Sequence, residues 1–286
     1  MNQPPAVLGP PRRIDRPLRG LGAWLSHFRS AMIPVLDSTA NTVRALALNE
    51  DAVDAHFLAE AVGADPLMTL KLLAHVGSNN RRTTDVETVV SALVLLGIAP
   101  FFRHFGELPT VSQALQDIPD AKEVQAGLQA VLDRSHRAAR FALGFAAHRL
   151  DPDAAVIHEA ALLDGFAELL LWCHAPTLAL QIARRQHADP TLRSVAVQQA
   201  VLDITLDDLK QALMKAWRLP ELLIRLDDAR HAGDTQVRNV MLAVRLARHT
   251  AHGWDNAAVP DDVADIASLL LLGAEPTLKL LREIDA

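Results

Sequence analysis

The segment HEAALLDGFAELLLWCHAP, residues 158–176, constrains the fold more than any other part of the chain. From Ala160 to Cys173 it is apolar except for Asp164, Gly165 and Glu168. A helix that is apolar all round has no solvent face, so it belongs in the middle of a bundle of other helices. Asp164 and Glu168 are four residues apart and would share one face of such a helix. A buried carboxylate needs a partner. Inward carboxylates are one way in which bundles build metal sites; the plainer reading is an acid reaching a helix end or a basic neighbour.

The rest of the chain supplies helices to surround that segment. Val86, Val89, Val90, Leu93 and Leu96 follow the spacing of one helical face, with Thr84 and Glu87 as a capping box and Gly97 and Pro100 as the stop. Ala138, Phe141, Ala142 and Phe145 repeat the pattern. Acid-proline pairs at Asp65-Pro66, Asp151-Pro152, Asp189-Pro190 and Glu275-Pro276 read as helix starts. No alternating run bounded by hairpin turns is present, so the expected class is all-α. GADPLMTLKLL and GAEPTLKLL echo each other, but without the fixed multiple spacing of a repeat protein.

Composition narrows the function classes. With 50% hydrophobic and 22% charged residues, the chain has the apolar surface that disordered chains lack. It carries 28 basic and 34 acidic residues, and a net charge of −6 argues against nucleic acid as a partner. Aromatic residues make up only 4%, with no tyrosine, which leaves few rings for stacking on bases. One cysteine, Cys173, excludes an intramolecular disulfide and a cysteine-based zinc site and fits a reducing cytoplasm. No run of apolar residues is long enough to span a membrane, and residues 1–20 hold prolines and arginines where a signal peptide would be apolar. That stretch is expected to be an extended, solvated arm.

The 12 histidines are the one compositional invitation to metal or acid–base chemistry. His249 and His252 fall within reach of one helical face, but beside the helix end expected at Gly253, and with no third ligand in view. Cys173 and His174 are adjacent, so on a helix they point about 100° apart, and a core cysteine is the expected reading. The polar stretch SNNRRTTD, residues 78–85, is expected to be a loop. There Ser78, Asn79, Arg81 and Arg82 are candidates for gripping a carboxylate or phosphate.

Several segments, in order from about residue 31 to 231, resemble the HDOD family, the non-catalytic relatives of the HD-type metal phosphohydrolases. IPVLDSTANTVRAL resembles the family's opening helix, and FLAEAVGADPLMTLKLLAHVGS its Asp-Pro helix start and leucine-rich helix. There Gly77-Ser78 stands for an Asn-Ser turn. VETVVSALVLLGIAPFFRHF carries the leucine-glycine pair Leu96-Gly97, and LDRSHRAARFALGFAAHRL the helix built on a serine and small residues. AALLDGFAELLL falls where the family writes a leucine pair, His-Asp and a glycine, and Trp217, Leu219 and Pro220 match its Trp-x-Leu-Pro segment.

The departures from the catalytic pattern decide what the resemblance implies. HD enzymes use His and Asp side chains to hold metal ions that activate water. Here Asp164 and Gly165 occupy the His-Asp pair, Arg134 stands at the earlier histidine position, and Asp227, Asp228 and His231 follow the Trp-x-Leu-Pro segment. Arg134, Asp164, Glu168, Asp228 and His231 are thus the residues of a vestigial pocket, with no catalytic residue, metal or cofactor expected. The resemblance implies a two-lobed helical protein: an arm to residue 20, a first lobe over 21–115 and an HD-like bundle over 116–286. It implies a cytoplasmic bacterial signalling protein that acts through contacts with an unidentified protein partner, standing alone without a companion signalling domain. The rival readings are a nucleotide or small-molecule sensor using the vestigial pocket, and a weak phosphohydrolase built on Asp164, Asp228 and His231.

Overall fold

The computed structural model describes residues 13–79, 86–189 and 191–286. The described residues form helices joined by turns and short extended segments, and their β content is the isolated bridge between Val35 and Thr110. The first helices are α1 (Gly20–Ser30), α2 (Asp37–Ala47), α3 (Ala55–Val62), α4 (Pro66–Asn79), α5 (Val89–Leu96), α6 (Ile98–Phe105) and the single turn α7 (Val111–Ala114). The axis of the remainder is α8 (Ala121–His148). Around and beyond it come α9 (Ala154–Leu163), α10 (Phe166–His174), α11 (Pro176–Ala188), α12 (Ser194–Leu202), α13 (Leu206–Ala216) and α14 (Glu221–Leu226). The chain closes with α15 (Thr235–His249), α16 (Val259–Leu270) and α17 (Ala274–Asp285).

Helix α8 is central because one stripe of it, Val124, Leu128, Val131, Leu132, Ser135, Ala138, Phe141, Ala142 and Phe145, is buried along its whole length. The small residues in that stripe let α9 and α15 pack closely along it. Helix α1 packs on α13, and the Trp24 indole donates to the Leu202 carbonyl at 3.0 Å. No described helix is long and apolar enough to cross a membrane.

Local details correct several expectations. The long apolar segment is two helices, not one, because the chain turns at Asp164-Gly165 between α9 and α10. Asp164 and Glu168 therefore do not share a helical face. Gly165 permits the turn to press onto α8; a Cβ there would lie 3.0 Å from the Ser135 hydroxyl. Helix α5 starts at Val89 rather than beside Thr84, which lies outside the described residues; its capping box is Thr88 with Ser91. Of the acid-proline pairs, Asp65 starts a helix as expected, its carboxylate accepting from the N–H groups of Leu67 and Met68. Asp151 and Asp189 instead close turns, and α9 and α12 begin a few residues later. Gly273, not Glu275, is the residue flanking α17. Residues 13–19 are extended but not freely solvated: Ile14 is buried and its N–H donates to the His174 carbonyl at 2.8 Å. An apolar side chain in the arm is what draws it down onto the core.

Candidate functional site

The turn after α9 and the end of α14 carry the carboxylates of the vestigial pocket toward α13. Thr205 caps α13, accepting from the Asp208 N–H at 3.0 Å, and its buried stripe runs Leu206, Leu209, Lys210, Leu213 and Met214. Lys210 thus sits in an apolar stripe with a side chain only 9% exposed. Its ammonium donates to Asp164 Oδ1 at 2.9 Å and to Asp227 Oδ1 at 2.8 Å, with Asp207 Oδ1 at 3.6 Å. Asp227 is 4% exposed, and its other oxygen accepts from the Gln211 amide at 2.8 Å. Asp164 keeps 29% of its side chain exposed.

The electrostatics follow from that geometry. Burial alone would pull the Lys210 ammonium toward neutrality, but Asp164 and Asp227 outweigh it and hold the charge firmly in place. Burial pushes the Asp227 carboxyl up to about 7; the ammonium pulls the other way, while Asp164 adds repulsion. For Asp164, burial is outweighed by Lys210, then by Arg248 and Arg134, and its carboxyl lies below the usual range. Arg134 itself pairs with Glu168 at 2.6 Å across α8 and α10.

A metal does not fit these residues. The two inward carboxylates already converge on a cation that the fold supplies covalently, and Arg134 adds a second positive charge nearby. A divalent ion would have to displace the ammonium and would find few oxygen ligands and no imidazole in return. Among the described residues no group of three or more His, Cys, Asp or Glu side chains is placed to hold a metal ion. Asp228, adjacent to Asp227, faces away. Its oxygens accept from Arg230, with the Arg230 Nη2 at 2.6 Å, and His231 Nδ1 stands 3.5 Å off. The trio Asp164, Asp228 and His231 is therefore divided between two different cations.

Lys210 and Asp227 are the residues that define the site, and reading by motif gave Lys210 no role. The signal was present: Lys210 falls on the apolar stripe of an otherwise amphipathic helix, where a lysine needs a buried acid. The loop candidates separate. Ser78 and Asn79 belong to the last turn of α4 rather than to a loop, and the Asn79 amide donates to the His75 carbonyl. Arg81 and Arg82 lie outside the described residues. His249 pairs with the buried Asp262 at 2.6 Å and His252 is exposed, so the two do not form a ligand pair. Cys173 is fully buried, its thiol pushed up to about 12 by burial, while burial pulls the His174 imidazole down to about 4. Neither activates the other.

Two solved structures share this architecture. The MmoQ response regulator from Methylococcus capsulatus str. Bath is 22% identical, with a TM-score of 0.66, over 87% of this chain and 98% of that one. A virulence factor from Campylobacter jejuni subsp. jejuni is 17% identical, with a TM-score of 0.63, over 93% of this chain and 98% of that one. No curated protein matches the chain. The HDOD domain matches residues 33–232, well over half of the length and the same span in which the ordered segments occur. The chain belongs to the HDOD domain family.

Proposed function

We infer that this protein is a non-catalytic signalling or regulatory protein that works through contacts with a protein partner. One observation supports the reading: the Lys210 ammonium, at 2.9 and 2.8 Å from Asp164 and Asp227, already neutralises the inward carboxylates of the vestigial pocket. Hydrolysis of a phosphoester in that fold depends on metal-activated water. Here Asp164 and Gly165 stand in place of the His-Asp pair, and the ammonium of Lys210 is clamped between Asp164 and Asp227, an arrangement that supports a structural rather than a hydrolytic role. Exposed Phe57 on α3 and exposed Val94 and Leu95 on α5, two helices that pack together, supply apolar surface of the kind that partners cover.

The test is elemental analysis of the purified full chain after incubation with magnesium, manganese, iron and zinc, alongside a generic phosphodiester assay. The expected result is no stoichiometric metal and no turnover. Stoichiometric metal together with turnover that Asp164→Ala abolishes would replace this reading with the phosphohydrolase one.

A further inference from the structure

A groove runs between α11 and the start of α8, and it shares no residue with the Lys210 cluster. Its volume is about 470 Å³. Thr177, Leu180, Gln181 and Ala188 form one wall, and Pro119 and Val124 the other. Leu180 and Val124 are buried and give the groove an apolar floor. From Thr177 to Ala188 the wall on α11 rises about 17 Å at 1.5 Å per residue.

Arg184 ties the two walls together. Its guanidinium donates to the Glu123 carboxylate at 3.0 and 2.9 Å and stands 3.1 Å from Asp120. The acids of the α8 wall are therefore already engaged. The other polar side chains of the groove, Thr177, Gln181 and Arg185, are exposed and can all donate. The groove offers hydrogen-bond donors over an apolar floor.

Residue 13 is pinned at one end of it. The Ile14 N–H donates to the His174 carbonyl at 2.8 Å, just before Thr177 on that wall. Arg13 Nη2 donates to the Ala114 carbonyl at 3.1 Å and also to the Gln116 carbonyl, just before Pro119 on the other.

The sequence that precedes this anchor, outside the described residues, reads Ala6-Val7-Leu8-Gly9-Pro10-Pro11-Arg12. Pro10 and Pro11 have no N–H, so this sequence is rich in carbonyl acceptors and poor in donors, the complement of the groove. Such sequences favour the polyproline II conformation, and grooves with apolar floors recognise it at low cost in ordering entropy. From Arg13 back to Leu8 that conformation spans about 16 Å at 3.1 Å per residue, which matches the wall on α11. Leu8 then has an apolar side chain for the end at Ala188, and Arg12 brings a positive charge to the exposed Asp117, in the turn between Gln116 and Pro119.

We propose that residues 8–12 of this same chain lie along the groove, with Pro10 and Pro11 over Leu180 and Val124 and Leu8 toward Ala188. The segment would staple α11 to α8 and would exclude a proline-rich peptide of another protein from the same face.

The full chain is prepared with isotope-labelled leucine and valine methyl groups and studied by NOE spectroscopy. The expected result is a cross-peak from the Leu8 methyls to those of Leu180 or Val124, lost in Leu8→Asp and in Gln181→Trp. Gln181 is exposed, so its variant fills the groove without disturbing the core, and circular dichroism checks that both variants keep the parent's helix content. An equal mixture of labelled and unlabelled chains, recorded with an isotope filter, should show no such cross-peak between chains. The proposal is overturned if Leu8 gives no cross-peak to either wall, or if the cross-peak survives Gln181→Trp. It is also overturned if the cross-peak appears between chains, since the occupant is then a segment of a second copy.

Discussion

Replacing Lys210 by methionine removes the charge from the cluster while keeping a side chain of similar reach in the apolar stripe. Two carboxylates then lose their shared cation. Asp227, 4% exposed, has only the Gln211 amide left, whereas Asp164, 29% exposed, can be partly hydrated. Leaving one member of a buried pair uncompensated costs about 3–5 kcal/mol, and the surviving amide bond and partial exposure place this case near the lower bound, about 3 kcal/mol. For a chain of this size each kcal/mol moves the melting point by about 2–4 °C, so Lys210→Met is expected to melt roughly 10 °C lower. Urea denaturation at equilibrium and thermal melts followed by circular dichroism measure it. The loss should be smaller near pH 5 than near pH 8 (both approximate), because Asp227 without its ammonium takes up a proton as the pH falls. Adding Asp227→Asn should recover more than half of it, since the double variant buries no unpaired charge. A loss under about 1 kcal/mol, independent of pH and unaffected by the second substitution, would refute the reasoning.

Three further outcomes are expected. Glu159 has a folded value raised to about 8, so its contribution is full below the ordinary carboxylate range and is lost as pH rises through that value. Glu159→Gln should then be the more stable form near about pH 8, by a few kcal/mol at most, with the advantage gone near about pH 4, as measured by denaturation across pH. A Cβ on Gly77 would meet the Arg218 and Trp217 carbonyls at 2.4 and 2.5 Å, so Gly77→Ala should destabilise by about 1–3 kcal/mol despite improved helix propensity. Arg137 clamps Asp285 at 2.8 and 2.7 Å, with the Trp254 indole adding a third hydrogen bond. Burial pushes the Asp285 carboxyl up, but Arg137 outweighs it and the folded value is depressed, so its contribution is present above the ordinary range and lost as pH falls. Asp285→Asn should cost about 2 kcal/mol near neutral pH, with the deficit vanishing in acid, read from urea midpoints.

How much of this was legible in the sequence depends on the range of the interaction. The all-α class and the burial of residues 158–176 follow from local patterning, and the structure has both. The break at Asp164-Gly165 was harder to see, because both halves are apolar and the turn is fixed by its approach to Ser135 on α8. Within the site, Asp164 was visible as an acid in an apolar setting. Its partner is 46 residues away, and no periodicity links two such positions. Reading by family ligand positions also directed attention to Asp228 and His231, whereas the neighbouring Asp227 is the residue that turns inward. The hydrogen bond from the Val89 N–H to the buried Glu159 is less legible still, since it joins the start of α5 to α9 across 70 residues.

The central proposal, that Lys210 neutralises the carboxylates of the vestigial pocket in place of a metal, is tested most directly by the metal content of two purified forms. The full chain and its Asp164→Ala variant are incubated with divalent manganese, iron and zinc, desalted and analysed for bound metal. The account predicts the same trace content in both. Metal at one or two ions per chain in the parent, lost on Asp164→Ala, would contradict it.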